Sequence, residues 1–94
     1  MLEKIISEML NNVRIQNRIQ YKILKSGLGL SVWIEAGGRR AITLDRPKHD
    51  KGPSLQEANV VAHYAGFGDS YSLKEDLEAK TITIKERVKG AVNG

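Results

Sequence analysis

The chain has 94 residues, a net charge of +4 at neutral pH and no cysteine. This length suits a single domain, and the lack of cysteine excludes a disulfide framework and thiolate metal sites. Apolar residues make up 40% of the chain and charged residues 28%, which is typical of a soluble folded protein. No apolar run approaches the ~20 residues that span a bilayer, and no secretion signal is recognisable, so we expect a cytoplasmic protein that does not enter membranes.

The first predicted element is an amphipathic helix over residues 2–11. Its apolar residues recur at helical spacing and are Leu2, Ile5, Ile6, Met9 and Leu10. Asn11 and Asn12 follow, and asparagine tolerates the left-handed conformation that often ends a helix.

Residues 13–24 alternate between two kinds of side chain and predict a long strand. The polar row consists of Arg14, Gln16, Arg18, Gln20 and Lys22, and the other row of Val13, Ile15, Asn17, Ile19, Tyr21 and Ile23. The alternative is that the first helix continues to Leu24. On a helix, however, the step from Val13 to Ile15 is a rotation of about 200°, which breaks the apolar stripe. A strand accommodates the same residues because its side chains alternate between two faces.

Two turns predict that this strand opens an antiparallel meander. Ser26 and Gly27 suit a two-residue hairpin turn, which would place Ile23 opposite Leu30 and the polar row on the other face. The segment "LGLSVWIEA" then alternates again.

The next turn contains Gly37 and Gly38. A two-residue loop there would pair Val32 with Thr43 and interrupt the apolar face. A three-residue loop over 37–39 would pair Ile34 with Ile42 and Val32 with Leu44, and would place a glycine at positive φ. We therefore expect the three-residue loop.

A second helix and a last hairpin complete the predicted fold. Ser54 to Glu57 form a capping box, which predicts a helix to about Ala65 that stops at Gly66. A hairpin with its loop at 76–79 follows, with Tyr71 and Leu73 matched to Ile84 and Ile82, and with Ser72, Lys74, Thr81 and Thr83 on the other face. We expect one α+β domain over 1–88, in which two helices pack on one face of an antiparallel sheet in the order α-β-β-β-α-β-β, and a flexible tail over 89–94.

Basic residues are concentrated in residues 14–51, which hold nine Lys or Arg against three acids. Arg and Gln can hydrogen-bond to base edges, Lys and Arg neutralise phosphates, and an exposed Trp can stack on a base. The 46–53 loop also places cations before a helix N-terminus, where anions are favoured. We predict a small non-enzymatic module that binds DNA or RNA through the outer face of its first three strands and this loop. Its candidate contacts are Arg14, Gln16, Arg18, Gln20, Lys22, Trp33, Arg39, Arg46, Lys48 and Lys51.

These features also have simpler interpretations. Long polar side chains on an open strand keep a sheet soluble, Trp33 can pack under the stem of Gln20, and the 46–53 loop can be a plain connection. The alternative hypothesis is a protein-interaction module, such as a small inhibitor or adaptor, that binds through a sheet edge or the Trp33 surface. The long first strand also suggests a homodimer, formed by edge pairing or by the first helices.

The sequence gives little support for catalysis. His49 and Asp50 are neighbours in a loop, His63 lies on the second helix, and no nucleophile elbow is present. The glycine pairs at 27–29 and 66–68 lack the further glycine and the lysine of a phosphate-binding loop. We therefore expect no enzymatic activity, no metal and no cofactor.

Overall fold

The computed structural model describes residues 1–14 and 18–87, which form two helices and a five-stranded antiparallel sheet. The elements are α1 (Leu2–Asn12), β1 (Gln20–Ile23), β2 (Gly29–Ile34), β3 (Arg40–Asp45), α2 (Leu55–Tyr64), β4 (Tyr71–Asp76) and β5 (Thr81–Glu86). This order confirms the predicted fold class. The strands are arranged β1-β2-β3-β5-β4, so β1 and β4 form the two edges of the sheet. The predicted tail at 89–94 lies outside the described residues.

The hydrophobic core lies between the two helices and one face of the sheet. Its members in the helices and strands are Ile6 and Met9 of α1, Ala58, Val61 and Ala62 of α2, and Leu30, Val32, Ile42, Leu44, Ile82 and Ile84 of the sheet, and Val13, Leu28, Ala65 and Phe67 join it from the connecting segments. Full burial of one such large aliphatic side chain contributes roughly 1.5–3 kcal/mol, so this cluster accounts for much of the stability of the fold. The opposite face of the sheet is open to solvent.

The predicted helix is confirmed, but the long strand predicted to follow it is wrong at its beginning. Val13 is the C-cap of α1, its N–H donates to the carbonyl oxygen of Met9 at 3.0 Å, and its side chain is buried. It extends the apolar stripe of Ile6 and Met9 by one further turn. Arg18 has a φ of 61°, which no extended strand adopts, so β1 begins only at Gln20. Residues 15–17 lie outside the described part of the chain.

The turn between β1 and β2 is one residue longer than predicted. Leu24 donates its N–H to the carbonyl oxygen of Leu28 at 2.8 Å, so the loop consists of residues 25–27, with Gly27 at a φ of +90°. Lys22 consequently lies opposite Leu30, and Ile23 lies opposite Gly29. Because side chains alternate between faces, this one-residue change reverses the orientation of every side chain in β1. The predicted pairing of Ile23 with Leu30 is therefore wrong.

The turn between β2 and β3 is a three-residue loop, as predicted, but it is formed by residues 36–38. Glu35 donates its N–H to the carbonyl oxygen of Arg39 at 2.7 Å, and Gly37 has a φ of +92°. Val32 pairs with Ile42 rather than with Leu44. This register differs from the predicted one by two residues, so both strands keep their predicted faces.

The second helix is confirmed together with its capping box. Glu57 donates its N–H to Ser54 Oγ at 3.1 Å, and Ser54 donates its N–H to Glu57 Oε1 at 3.0 Å. The buried residues Ala58, Ala62 and Ala65 form the small face that packs on the sheet.

The last hairpin is also present, again with a register that differs by two residues. Leu73 lies opposite Ile84, and Tyr71 lies opposite Glu86 rather than Ile84. The change preserves the faces, so Ser72, Lys74, Thr81 and Thr83 lie on the open face as predicted.

Candidate functional site

The reversed orientation of β1 changes the character of its two faces. Tyr21 and Ile23 lie on the open face of the sheet, where they are 50% and 53% exposed, and Ile19 just before the strand is 59% exposed. Gln20 and Lys22 lie on the helix-packed face. The open face near this edge therefore carries an apolar row, and the prediction that Gln20 and Lys22 lie on the outer face is wrong. Gln16 lies outside the described residues.

Tyr21 and Ile23 also carry the outward backbone of β1, by which we mean the N–H and C=O groups that point away from the sheet. Leu24 is hydrogen-bonded to Leu28, and hydrogen-bonded and non-bonded pairs alternate along an antiparallel ladder. Gln20 and Lys22 thus direct their N–H and C=O groups towards β2, whereas Tyr21 and Ile23 direct theirs away from the sheet. Among the described residues, no strand pairs with that side of β1.

Tyr21 is held in place by a contact that crosses β2. Its Oη lies 3.5 Å from Asp45 Oδ1. Both oxygens lie over Gly29, where an added Cβ would clash with Asp45 Oδ1 and would lie 2.7 Å from Tyr21 Oη. Desolvation, together with the neighbouring Asp45 carboxylate, raises the pKa of Tyr21. The tyrosine side chain therefore lies on the open face beside the edge of the sheet.

The centre of the open face is occupied by side chains that bond to one another. Thr43 and Thr83 are joined by a hydrogen bond of 3.0 Å, and Lys85 Nζ lies 3.0 Å from Glu35 Oε2. The lysine lowers the pKa of Glu35. Trp33 lies half-buried on this face, opposite the fully buried Ala41. The sheet centre is thus less exposed than the β1 edge.

The predicted nucleic-acid contacts do not form one surface. Arg14 and Arg18 are exposed between α1 and β1, and Arg14 Nη1 donates to the carbonyl oxygen of Asn11 at 3.1 Å. Arg39 lies at the turn between β2 and β3, where its Nε is 3.9 Å from Glu35 Oε1. Lys48 and Lys51 are exposed in the loop that precedes α2.

The guanidinium of Arg46 is bonded to other residues of the protein and is therefore not free. It forms a bidentate pair with Glu57, and its Nη1 donates to the carbonyl oxygen of Ser26 at 3.0 Å. The pair raises the pKa of Arg46 and lowers that of Glu57. Arg46 therefore connects the first turn, the 46–53 loop and the start of α2.

Three loops meet at this end of the sheet. They are the β1–β2 turn, the 46–53 loop and the β4–β5 turn. The contact of Arg46 with Ser26 joins the β1–β2 turn to the 46–53 loop. Gly52 of that loop packs so closely on the β4–β5 turn that an added Cβ would lie 2.9 Å from the carbonyl oxygen of Lys80. The exposed cations of these loops are Lys25, Lys48, Lys51 and Lys80, which we call the basic end. Asp50 and Glu78 lie among them, so the positive charge is moderate.

A groove of about 860 Å³ opens on the helix side of β1. It is bounded by the start of α1, the first half of α2 and the β1–β2 turn. Its apolar lining residues are Met1, Leu2, Ile5, Ile23, Leu24, Leu28, Val60 and Val61, and Lys22 and Lys25 lie at its rim. The sequence did not reveal this groove, because its residues come from three separate segments and share no motif.

Neither of the two described helices combines the length and apolar character needed to cross a membrane. Comparison of the chain with protein-family models, with curated proteins and with solved structures found no significant match.

Proposed function

We propose that this protein is a non-enzymatic interaction module that binds an extended segment of a partner protein by adding it as a strand to β1. The observation that carries the proposal is the coincidence of two properties in Tyr21 and Ile23. Both residues direct their backbone hydrogen-bonding groups away from the sheet, and both expose apolar side chains on its open face. In strand addition, backbone hydrogen bonds provide affinity and pockets for alternate side chains provide specificity.

The opposite edge of the sheet differs in a way that supports this assignment. The open-face side chains of β4 are Ser72, Lys74 and Asp76, which are all exposed and polar. Charged residues protect an edge strand from unwanted pairing, whereas an apolar row beside unpaired backbone favours it. The partner segment should therefore carry apolar residues at every second position, so that they pack on Tyr21 and Ile23.

A proline substitution at the edge tests the proposal directly. Ile23→Pro removes an N–H group that points away from β2, so the ladder between β1 and β2 is retained. Glu75→Pro is the matched control, because Ser70 and Arg87 form a hydrogen-bonded pair and the alternation directs the N–H of Glu75 away from β5. Decapeptides selected from a random library against the unmodified protein serve as the probe.

We expect the selected peptides to alternate apolar residues and to slow hydrogen exchange at the amides of Tyr21 and Ile23. Ile23→Pro should weaken their binding by about tenfold, since a hydrogen bond and an apolar contact are lost together. Glu75→Pro should change the affinity by less than about twofold. Peptides that bind Ile23→Pro as tightly as the unmodified protein would contradict strand addition at β1.

Nucleic-acid binding is the second candidate, and the clustering of lysines at the basic end favours it. If Lys25, Lys48, Lys51 and Lys80 each neutralise a phosphate, the log–log salt slope on duplex DNA should be roughly −3 to −4. Replacing Lys48 and Lys51 with alanine should flatten this slope by about two units. Replacement of Lys4 and Lys74, which are exposed elsewhere, is the control. An absence of binding at low salt would refute this candidate and leave the strand-addition proposal intact.

A further inference from the structure

The groove on the helix side of β1 has a mostly apolar lining. Leu28 forms part of this lining and is only 3% exposed, while Val60 on the α2 wall is 40% exposed. The volume of about 860 Å³ falls within the roughly 300–1,000 Å³ that is typical of small-molecule sites. Water in such a groove contacts apolar surface, so an apolar ligand that displaces it gains free energy.

The charges around the groove do not cancel. Four charged residues contribute to its lining, and two of these, Arg46 and Glu57, neutralise each other through their ion pair. The other two, Lys22 and Lys25, form no ion pair with any residue of the described ranges. Both are exposed and both belong to β1 or its turn, so the positive charge lies on one side of the rim.

We propose that this groove binds an amphipathic anion, a carboxylate at the end of a long alkyl chain. The chain would lie between Leu2 and Ile5 of α1 and Val60 of α2, and the carboxylate would be held by Lys22 and Lys25. An alkyl chain suits these walls because it has no hydrogen-bonding groups to satisfy, and burial of each CH₂ on an apolar wall is favourable. A peptide strand would instead pair with the outward backbone of Tyr21 and Ile23, so the two sites take different ligands.

Calorimetric titration with laurate below its micellar concentration tests the proposal. Laurate should bind the unmodified protein in a 1:1 complex, and dodecyltrimethylammonium, which has an alkyl chain of similar length but the opposite charge, should bind at least about tenfold more weakly. Val60→Glu should weaken laurate binding by about tenfold or more, because it places a carboxylate in the apolar wall. Leu77→Glu is the matched control, since Leu77 is 79% exposed and lies outside the groove, and it should leave laurate binding unchanged.

The double variant Lys22→Ala and Lys25→Ala should reduce the preference for laurate over the cationic probe. In the unmodified protein, laurate should also shift the methyl NMR signals of Leu2, Ile5 and Val60, a measurement that requires no variant to fold. Equal affinity for both probes, or equal damage by Leu77→Glu, would overturn the proposal. A dimer that Val60→Glu dissociates would also overturn it, because a second copy would then fill the groove. Tyr21→Pro removes the other outward-directed N–H of β1 at a residue that does not line the groove, and it should leave laurate binding unaffected, so failure at one site is distinguishable from failure at the other.

Discussion

The hydroxyl oxygen of Tyr21 lies 3.5 Å from Oδ1 of Asp45, although β2 separates the strands of the two residues. The contact is possible because the intervening residue is Gly29, which pairs with Ile23 on one side and with Asp45 on the other. It ties the edge strand to the interior of the sheet. It also fixes an aromatic side chain next to the outward backbone of β1.

Gly29→Ala should displace Tyr21 from Asp45. The new Cβ would clash with Asp45 Oδ1 and would lie 2.7 Å from Tyr21 Oη, so the ends of both side chains must move. The pKa of Tyr21, which the folded structure raises, should then fall towards its ordinary value of 10.0. Tyrosine ring signals followed by NMR during alkaline titration measure this change. Asp45→Asn should shift the pKa in the same direction without crowding, and an unchanged pKa in both variants would contradict the contact.

The register of β1 can be tested through stability. Leu28 is 3% exposed and lies at the paired end of the first turn, so Leu28→Ala should reduce the free energy of unfolding by about 2–5 kcal/mol. Ile23→Ala, at a residue that is 53% exposed, should reduce it by less than about 1 kcal/mol. Urea denaturation measures both. A large loss for Ile23→Ala would instead favour the two-residue turn, which places Ile23 in the core.

Stability should decrease in acid, because paired carboxylates have lowered pKa values, Glu35 beside Lys85 among them. Hydrogen bonds from Arg46 and from Arg40 hold the pKa values of Glu57 and Glu86 below their ordinary value of 4.5. A carboxylate with a lower pKa in the folded than in the unfolded state adds stability above the unfolded pKa, and this stability is lost as the pH falls through the folded pKa. The free energy of unfolding, measured by urea denaturation, should therefore decline below about pH 4.5.

Arg46→Gln identifies the contribution of one of these pairs. It should lower the stability near neutral pH by roughly 1–3 kcal/mol, because charge-assisted hydrogen bonds to Glu57 are lost. It should also make the decline in acid shallower, since the pKa of Glu57 returns towards its ordinary value. Arg39→Gln is the control, because Arg39 Nε lies 3.9 Å from Glu35 and makes only a loose exposed pair. Parallel pH profiles for Arg46→Gln and the unmodified protein would exclude this role.

The homodimer suggested by the sequence remains a prediction, and β1 gives it a defined geometry. Two copies could pair their β1 strands in antiparallel fashion around a two-fold axis and form one continuous sheet. Sedimentation equilibrium at tens of micromolar protein should then give the mass of a dimer, and Ile23→Pro should give that of a monomer. A monomeric unmodified protein would exclude self-pairing, and a dimer that survives Ile23→Pro would indicate another interface, such as α1.

Local sequence signals determined most of the architecture. The spacing of Leu2, Ile5, Ile6 and Met9 and the capping box at Ser54 each specify a helix through interactions within one or two turns. The alternation in β2, β3, β4 and β5 identified the core faces correctly, even where the predicted register differed by two residues. An error of two residues preserves the face of a side chain, because strand side chains have a period of two.

The orientation of β1 was decided only by tertiary structure. Apolar and polar side chains alternate in this segment, so the sequence allows either face to be buried, and the length of one turn selects between them. The observed turn buries Leu28 and keeps Leu24 on the core side, while the hydroxyl group of Tyr21 lies over Gly29. At an edge strand, Gln20 and Lys22 can reach solvent even on the helix side, so the reversal costs little. The apolar row, the outward backbone and the groove all follow from this orientation, which depends on contacts between residues distant in the chain.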